Sequence, residues 1–126
     1  MQRRNHRGFT LIEVMVVVAV IGILAAIAVT VFANVQARAR LAKAQADLRA
    51  VASAVTTYQA RLGVLPADLN ELTVTVADTS GLAVGPFLVA VPAAPASWSY
   101  AGMYSLTANG SFTLTASGDG TTVTLP

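Results

Sequence analysis

Glu13 is the only ionisable side chain between residues 9 and 37, and behind it residues 14–37 form a run of 24 uncharged positions dominated by Val, Ile, Ala and Leu. A carboxylate near the centre of a bilayer costs about 2.5–3.5 kcal/mol. An acid in this place therefore sits at headgroup level, where the positive end of a helix favours it, or acquires a cationic partner. Its chemistry is electrostatic. Little else in the chain could act chemically. There is no Cys, so disulfides, thiolate metal sites and Cys nucleophiles are excluded. The single histidine, His6, lies in a short basic prefix; without that prefix there is no imidazole for metal binding, proton transfer or a Ser-His pair. Asp119, in Ser117-Gly118-Asp119-Gly120, is a calcium candidate, but a hard cation takes about six to eight oxygens and this segment offers one carboxylate, so a turn role is expected. No cofactor and no enzymatic activity are expected.

Charge is unevenly spread. Eight Lys and Arg face six Asp and Glu, but Arg3, Arg4 and Arg7 fall within the first eight residues. Past Arg61 there is no cation at all, while Asp68, Glu71, Asp78 and Asp119 remain. A nucleic-acid surface needs clustered cations to displace phosphate counterions, so the C-terminal half is not expected to bind nucleic acid directly.

These residues divide the chain into a polar prefix (1–8), an apolar segment (9–37) and a remainder (38–126). About 20 apolar residues at a rise of about 1.5 Å cross a hydrocarbon core, and a chain of 126 residues could hardly surround such a segment with protein. A secretory signal peptide would end at a small-residue cleavage site after a short apolar stretch; here the apolar run flows on into more helical pattern. Leu41, Leu48, Val51, Val55, Tyr58 and Leu62 keep one helix face apolar. Ala fills much of the rest. Lys43 and Asp47 form an i,i+4 pair. Gly63, followed by Pro66, is the first stop signal. The spacing predicts one helix of about 54 residues from Phe9 to Leu62, roughly 80 Å long, with a uniformly apolar first half and an amphipathic second half.

From Gly63 to Ser97 the chain reads as loop with short elements at most, anchored by Leu65, Leu69, Leu72, Phe87, Leu88, Val89 and Val91. From Trp98 the period becomes two. Tyr104, Leu106 and Ala108 alternate with Ser105 and Thr107. Asn109-Gly110 reads as a two-residue type I′ hairpin turn; as such it also explains the glycosylation triplet Asn109-Gly110-Ser111. Phe112, Leu114 and Ala116 alternate with Thr113, Thr115 and Ser117, and a second turn at Gly118-Asp119-Gly120 leads to residues 121–125. The fold class is α+β: a long N-terminal helix whose amphipathic half packs on a three- to four-stranded antiparallel sheet, apolar inside and threonine-rich outside. Trp98, Tyr100 and Tyr104 are read as sheet or loop core. Arg38, Arg40, Lys43 and Arg49 are read as a solvated or subunit-facing helix surface, or as lying near lipid headgroups.

The stretch Arg7-Gly8-Phe9-Thr10-Leu11-Ile12-Glu13-Val14, followed by a pure apolar run, resembles the prepilin signature of the type IV filament family, which includes type IV pilins and the pseudopilins of type II secretion and competence. The resemblance implies the pilin fold and cleavage between Gly8 and Phe9 by a prepilin peptidase on the cytoplasmic side, with N-methylation of Phe9. It also implies that Glu13 pairs with the freed Phe9 amine of an adjacent subunit during assembly. The implied partners are further copies of the chain in a helical homopolymer, other pilin-like subunits, the peptidase, an inner-membrane assembly platform, and the membrane before assembly. The implied location is the bacterial inner membrane, in a single pass with the N-terminus cytoplasmic, and then a surface pilus or a periplasmic pseudopilus. Tyr58-x4-Gly63-x-Leu65-Pro66-x2-Leu69-x2-Leu72 and Gly85-Pro86-Phe87-Leu88 look like the loop region of major type II pseudopilins and small pilins. One departure is the lack of a helix-bending Pro around Ala28-Val29-Thr30, which leaves Gly22 as the only weak point. A pilus subunit, implying motility, adhesion or DNA uptake, is the first expectation. A type II secretion pseudopilin is the alternative, and a monomeric membrane-anchored binding protein is a third.

Overall fold

A computed structural model describes residues 8–126; most of the basic prefix, residues 1–7, lies outside the described residues. The helix α1 runs from Leu11 to Leu62, 52 residues. It starts two residues later than the periodicity predicts, because Thr10 closes the first turn from outside the helix. Gly63 ends it in the left-handed conformation (φ 75°), and its N–H donates to the carbonyl of Gln59 at 2.8 Å. That five-to-one bond satisfies one of the orphan carbonyls of a helix C-terminus, and glycine adopts the required φ without a Cβ clash.

The chain divides into two compact units, Met1–Gln36 and Ala37–Pro126. In the first, every residue from 8 to 36 is exposed. Ordinary capping and propensity can form this helix, and among the described residues its apolar side chains are all left exposed.

The second unit has a true core. Along α1, Ala44, Leu48, Val51, Ala54, Val55 and Tyr58 are buried, and they meet Leu72, Trp98, Met103, Leu114 and Ala116. The stripe expected from Leu48, Val51, Val55 and Tyr58 is present, with Leu41 and Leu62 packed at its borders. Ala44 and Ala54 are buried in the same cluster. Each fully buried Leu or Val stabilises the fold by about 1.5–3 kcal/mol.

After α1, a short 3₁₀ turn (Leu69–Thr73) is capped by Asp68, whose side chain accepts from the N–H groups of Asn70 and Glu71. Strands β1 (Val76–Ala77) and β2 (Ala83–Val84) form a separate two-stranded ribbon. The carbonyl of Leu72 then accepts from the N–H groups of both Phe87 and Leu88, at 2.8 and 2.9 Å. Val89, expected as an anchor, is instead 99% exposed, while Phe87, Leu88 and Val91 pack on the core.

The main sheet comprises β3 (Trp98–Ser99), β4 (Tyr104–Leu106), β5 (Phe112–Gly118) and β6 (Thr121–Leu125). Strand β5 is central. β6 pairs along one edge from Leu114 to Gly118; β4 and β3 share the other edge, at residues 112–114 and 117–118. Between β3 and β4 the register slips by two residues, and a turn closed by Met103 N–H donating to the Tyr100 carbonyl, at 2.9 Å, takes up the slack. That turn drops Met103 into the core.

The two hairpins differ from expectation. In the β4–β5 loop the Thr107 carbonyl accepts from Gly110 N–H at 3.0 Å, Thr107 N–H donates to Ser111, and Gly110 (φ 78°) has positive φ while Asn109 does not. This is a three-residue loop, a type I turn followed by a left-handed glycine, so Ala108 leaves the strand and Leu106 stays half exposed. The β5–β6 turn is the type I′ one, with both Asp119 (φ 49°) and Gly120 (φ 72°) in the left-handed region.

Candidate functional site: the start of the helix

Thr10 and Glu13 form a reciprocal cap. Glu13 Oε2 accepts from the Thr10 N–H and from the Thr10 hydroxyl, both at 2.9 Å, and the Glu13 N–H donates to Thr10 Oγ1 at 3.3 Å. Thr10 is the N-cap and Glu13 the third helical residue, the spacing at which a carboxylate reaches back to the cap. Two orphan N–H donors are satisfied, and the carboxylate lies at the positive end of the helix dipole. Sequence reasoning isolated Glu13 but missed Thr10, although the Thr-x-x-Glu spacing before an apolar run was legible as a capping box.

Gly8 and Phe9 precede the helix outside any regular element. Phe9 is 88% exposed, and a Cβ added at Gly8 would meet nothing within 4 Å. Phe9, Ile12, Glu13, Val16 and Val17 line one open groove. The arrangement thus brings Phe9 and Glu13 to one side of the helix start, with the peptide between Gly8 and Phe9 sterically open.

Asp119 belongs to a different cluster. Its Oδ2 accepts from Arg40 Nε at 2.8 Å and from Trp98 Nε1 at 3.0 Å, and its Oδ1 accepts from Arg40 Nη2 at 3.2 Å. The Arg40 hydrogen bonds, with a smaller contribution from the indole, hold the Asp119 carboxyl below its ordinary range. Among the described residues no group of three His, Cys, Asp or Glu side chains is arranged to hold a metal. Arg40, read from sequence as a solvated, subunit-facing or headgroup-level cation, is instead an internal partner of Asp119. A residue 79 positions away cannot be found by spacing.

One turn along α1, Lys43 and Asp47 make the expected i,i+4 pair at 2.5 Å. Asp47 also accepts from the Tyr100 hydroxyl at 2.7 Å, and Lys43 donates to the Ala93 carbonyl at 3.2 Å. Burial, and then the bond to Asp47, push the Tyr100 hydroxyl well above its usual range. Near the end of α1, Tyr58 donates to Glu71 at 3.0 Å, and Tyr104 donates to the Pro66 carbonyl at 2.8 Å. The aromatic hydroxyls thus tie loops to the helix (Tyr58, Tyr100) and to the sheet (Tyr104), as a core role requires.

Comparison with known proteins adds family information. Residues 3–29 match the family described as "Prokaryotic N-terminal methylation motif". The chain is 46% identical over 59 residues to the type II secretion system core protein G of Pseudomonas aeruginosa, covering 47% of this chain and 42% of that protein. It is 51% identical over 54 residues to the type IV major pilin protein PilA of Myxococcus xanthus, covering 43% of this chain and 24% of that protein. It is 35% identical over 96 residues to the fimbrial protein EcpC of Eikenella corrodens, covering 65% of this chain and 63% of that protein. The chain therefore spans less than two thirds of the length of each. No solved structure matches it.

Proposed function

We propose that this chain, which carries the prokaryotic N-terminal methylation motif and is similar to type IV pilins and to a type II secretion core protein, is a structural subunit of a type IV pilus-like filament. The observation that carries the reading is the position of the motif: it coincides with the Thr10–Glu13 cap and with an apolar helix segment exposed throughout. Such a segment is long and apolar enough to cross a membrane. It is stable in water only when lipid or other apolar helices cover it.

In this reading the basic prefix stays cytoplasmic, a prepilin peptidase cuts between Gly8 and Phe9, and Phe9 is N-methylated. The new amine begins one residue from Thr10, whose N–H already binds the Glu13 carboxylate. The cap places part of the Glu13 charge on its own chain, and Oε2 accepts both of those bonds. The remaining acceptor capacity serves the amine of an adjacent subunit. That pairing is favourable at one axial offset only, so it sets register as polar groups do at other helix interfaces in lipid. Residues 9–37 then exchange lipid for the same segments of neighbouring copies on an inner-membrane assembly platform.

The similarity to core protein G supports a second reading, a secretion pseudopilin with a short periplasmic filament. One experiment tests both. The mature N-terminus is determined by mass spectrometry, and sheared surface fibres are imaged from wild-type cells and from cells carrying Glu13→Gln. Methylated Phe9 at the N-terminus, with fibres lost in the variant, supports a pilus. Methylated Phe9 without fibres, and with loss of exoprotein on deletion, supports the pseudopilin. A mature chain that still begins at Met1 overturns both.

A further inference from the structure

The free edge of β6 points to a homotypic contact. β6 pairs with β5 from Leu114↔Leu125 to Gly118↔Thr121, and among the described residues no backbone hydrogen bond from outside that pairing reaches residues 121–125. In a two-residue type I′ hairpin the pair that closes the turn, here Gly118 and Thr121, is hydrogen-bonded. Alternation along the antiparallel ladder then turns the N–H and C=O groups of Thr121, Val123 and Leu125 toward β5, and those of Thr122 and Thr124 outward. Their side chains are exposed as well, while Val123 and Leu125 pack on the core.

Strand edges of this kind are ordinarily blunted by charge, by proline or by a bulge. The paired segment Thr121-Thr122-Val123-Thr124-Leu125 has none of these, and the nearest proline, Pro126, lies just past its last paired residue. Asp119, the nearest charge in sequence, is already matched by Arg40.

We propose that β6 is an interaction edge for the same strand of a second copy, paired antiparallel about Val123. The register is self-complementary. Thr122 faces Thr124 of the second copy, Thr124 faces Thr122, and the four outward-directed backbone groups on each strand meet their counterparts in two hydrogen-bonded pairs. Val123 faces Val123, and no like charges are opposed. Such a contact is isologous and closes on itself. It therefore joins two chains as a pair, and is separate from any head-to-tail contact that repeats along a polar filament. It uses the second unit alone and stands whether or not the filament reading does.

The chain contains no Cys, which makes register readable by disulfide trapping in the detergent-solubilised full-length protein. Chains carrying Thr122→Cys are mixed with chains carrying Thr124→Cys and oxidised mildly. The expected result is that mixed 122–124 dimers form several-fold more than 122–122 or 124–124 dimers. Adding Thr124→Pro to the Thr122→Cys chain removes an outward N–H without touching the β5 ladder, and is expected to lower the yield of mixed dimer, while the emission of Trp98 reports that the fold is kept. Equal yields in the three mixtures, no dimer in any, or a yield indifferent to Thr124→Pro would overturn the proposal.

Discussion

Arg40 and Asp119 hold each other through two hydrogen bonds, at 2.8 and 3.2 Å, across 79 positions of sequence. The same carboxylate fixes the indole of Trp98, so one acid at the tip of the β5–β6 turn joins helix, turn and first sheet strand.

Stability should therefore fall in acid. Asp119 is held below its ordinary value mainly by Arg40. A carboxyl depressed in the folded state contributes stability at pH above its unfolded value, about 3.9, and loses it as pH falls through the folded one. Trp98 is the only tryptophan. Its emission, followed during acid titration, should change below the ordinary aspartate range. In Arg40→Ala the change should begin at higher pH, and the thermal midpoint at neutral pH should drop. An acid transition identical in wild type and variant would contradict the assignment.

Gly118 is a packing requirement. A Cβ added there would lie 2.3 Å from Trp98 Cγ, because the indole crosses over the glycine paired with it. Gly118→Ala should destabilise the second unit by about 1–3 kcal/mol, the usual cost of overpacking, and should shift the tryptophan emission. Gly22→Ala, where a Cβ meets nothing, should be neutral or slightly stabilising through helix propensity. Denaturant unfolding monitored at Trp98 for the first, and helix content by circular dichroism for the second, provide the comparison.

Leu48 and Leu114 are both wholly buried and come from opposite sides of the core, the helix and the central strand. Truncating either to Ala should cost about 2–5 kcal/mol, the transfer loss plus the cavity left behind. Because the two share one cluster, the double variant should depart from additivity. Urea midpoints of the two single variants and the double variant measure this directly.

At the other end of α1, Thr10→Ala should remove about 0.5–2 kcal/mol of helix stability, the value of a hydroxyl cap. It also releases one of the groups bound to Glu13. Amide exchange at residues 11–14 in micelles should accelerate in Thr10→Ala and stay near wild type in Thr10→Ser. Unchanged exchange in the alanine variant would show that the cap does not hold the first turn.

Much of this was legible in the sequence because it rests on local periodicity. The stripe of α1, the Gly63 stop and the alternation of Phe112, Leu114 and Ala116 follow from residue spacing within one element, and the burial pattern matches. The resemblance carried by residues 7–14 pointed to the same families as the later comparisons. What escaped depends on contacts between elements or on turn geometry. Asn109-Gly110 and Asp119-Gly120 are equally good type I′ dipeptides, and only the strand register decides that the second adopts that turn. Val89 is as apolar as Val91, but the chain path after the Leu72 carbonyl bonds turns it to solvent. Arg40 looked solvent-facing because its partner is remote in sequence.

The β4–β5 loop bears on how the protein can be handled. Every residue from 105 to 111 is exposed, and the side-chain bond of Asn109 is made to Ser111 within the same loop. Foreign peptides are best accepted at such exposed tips. An epitope or fluorophore-binding tag spliced between Asn109 and Gly110 would thus leave the buried cluster, the Asp119 clamp and the capped helix start in place, so that the protein could be followed in living cells.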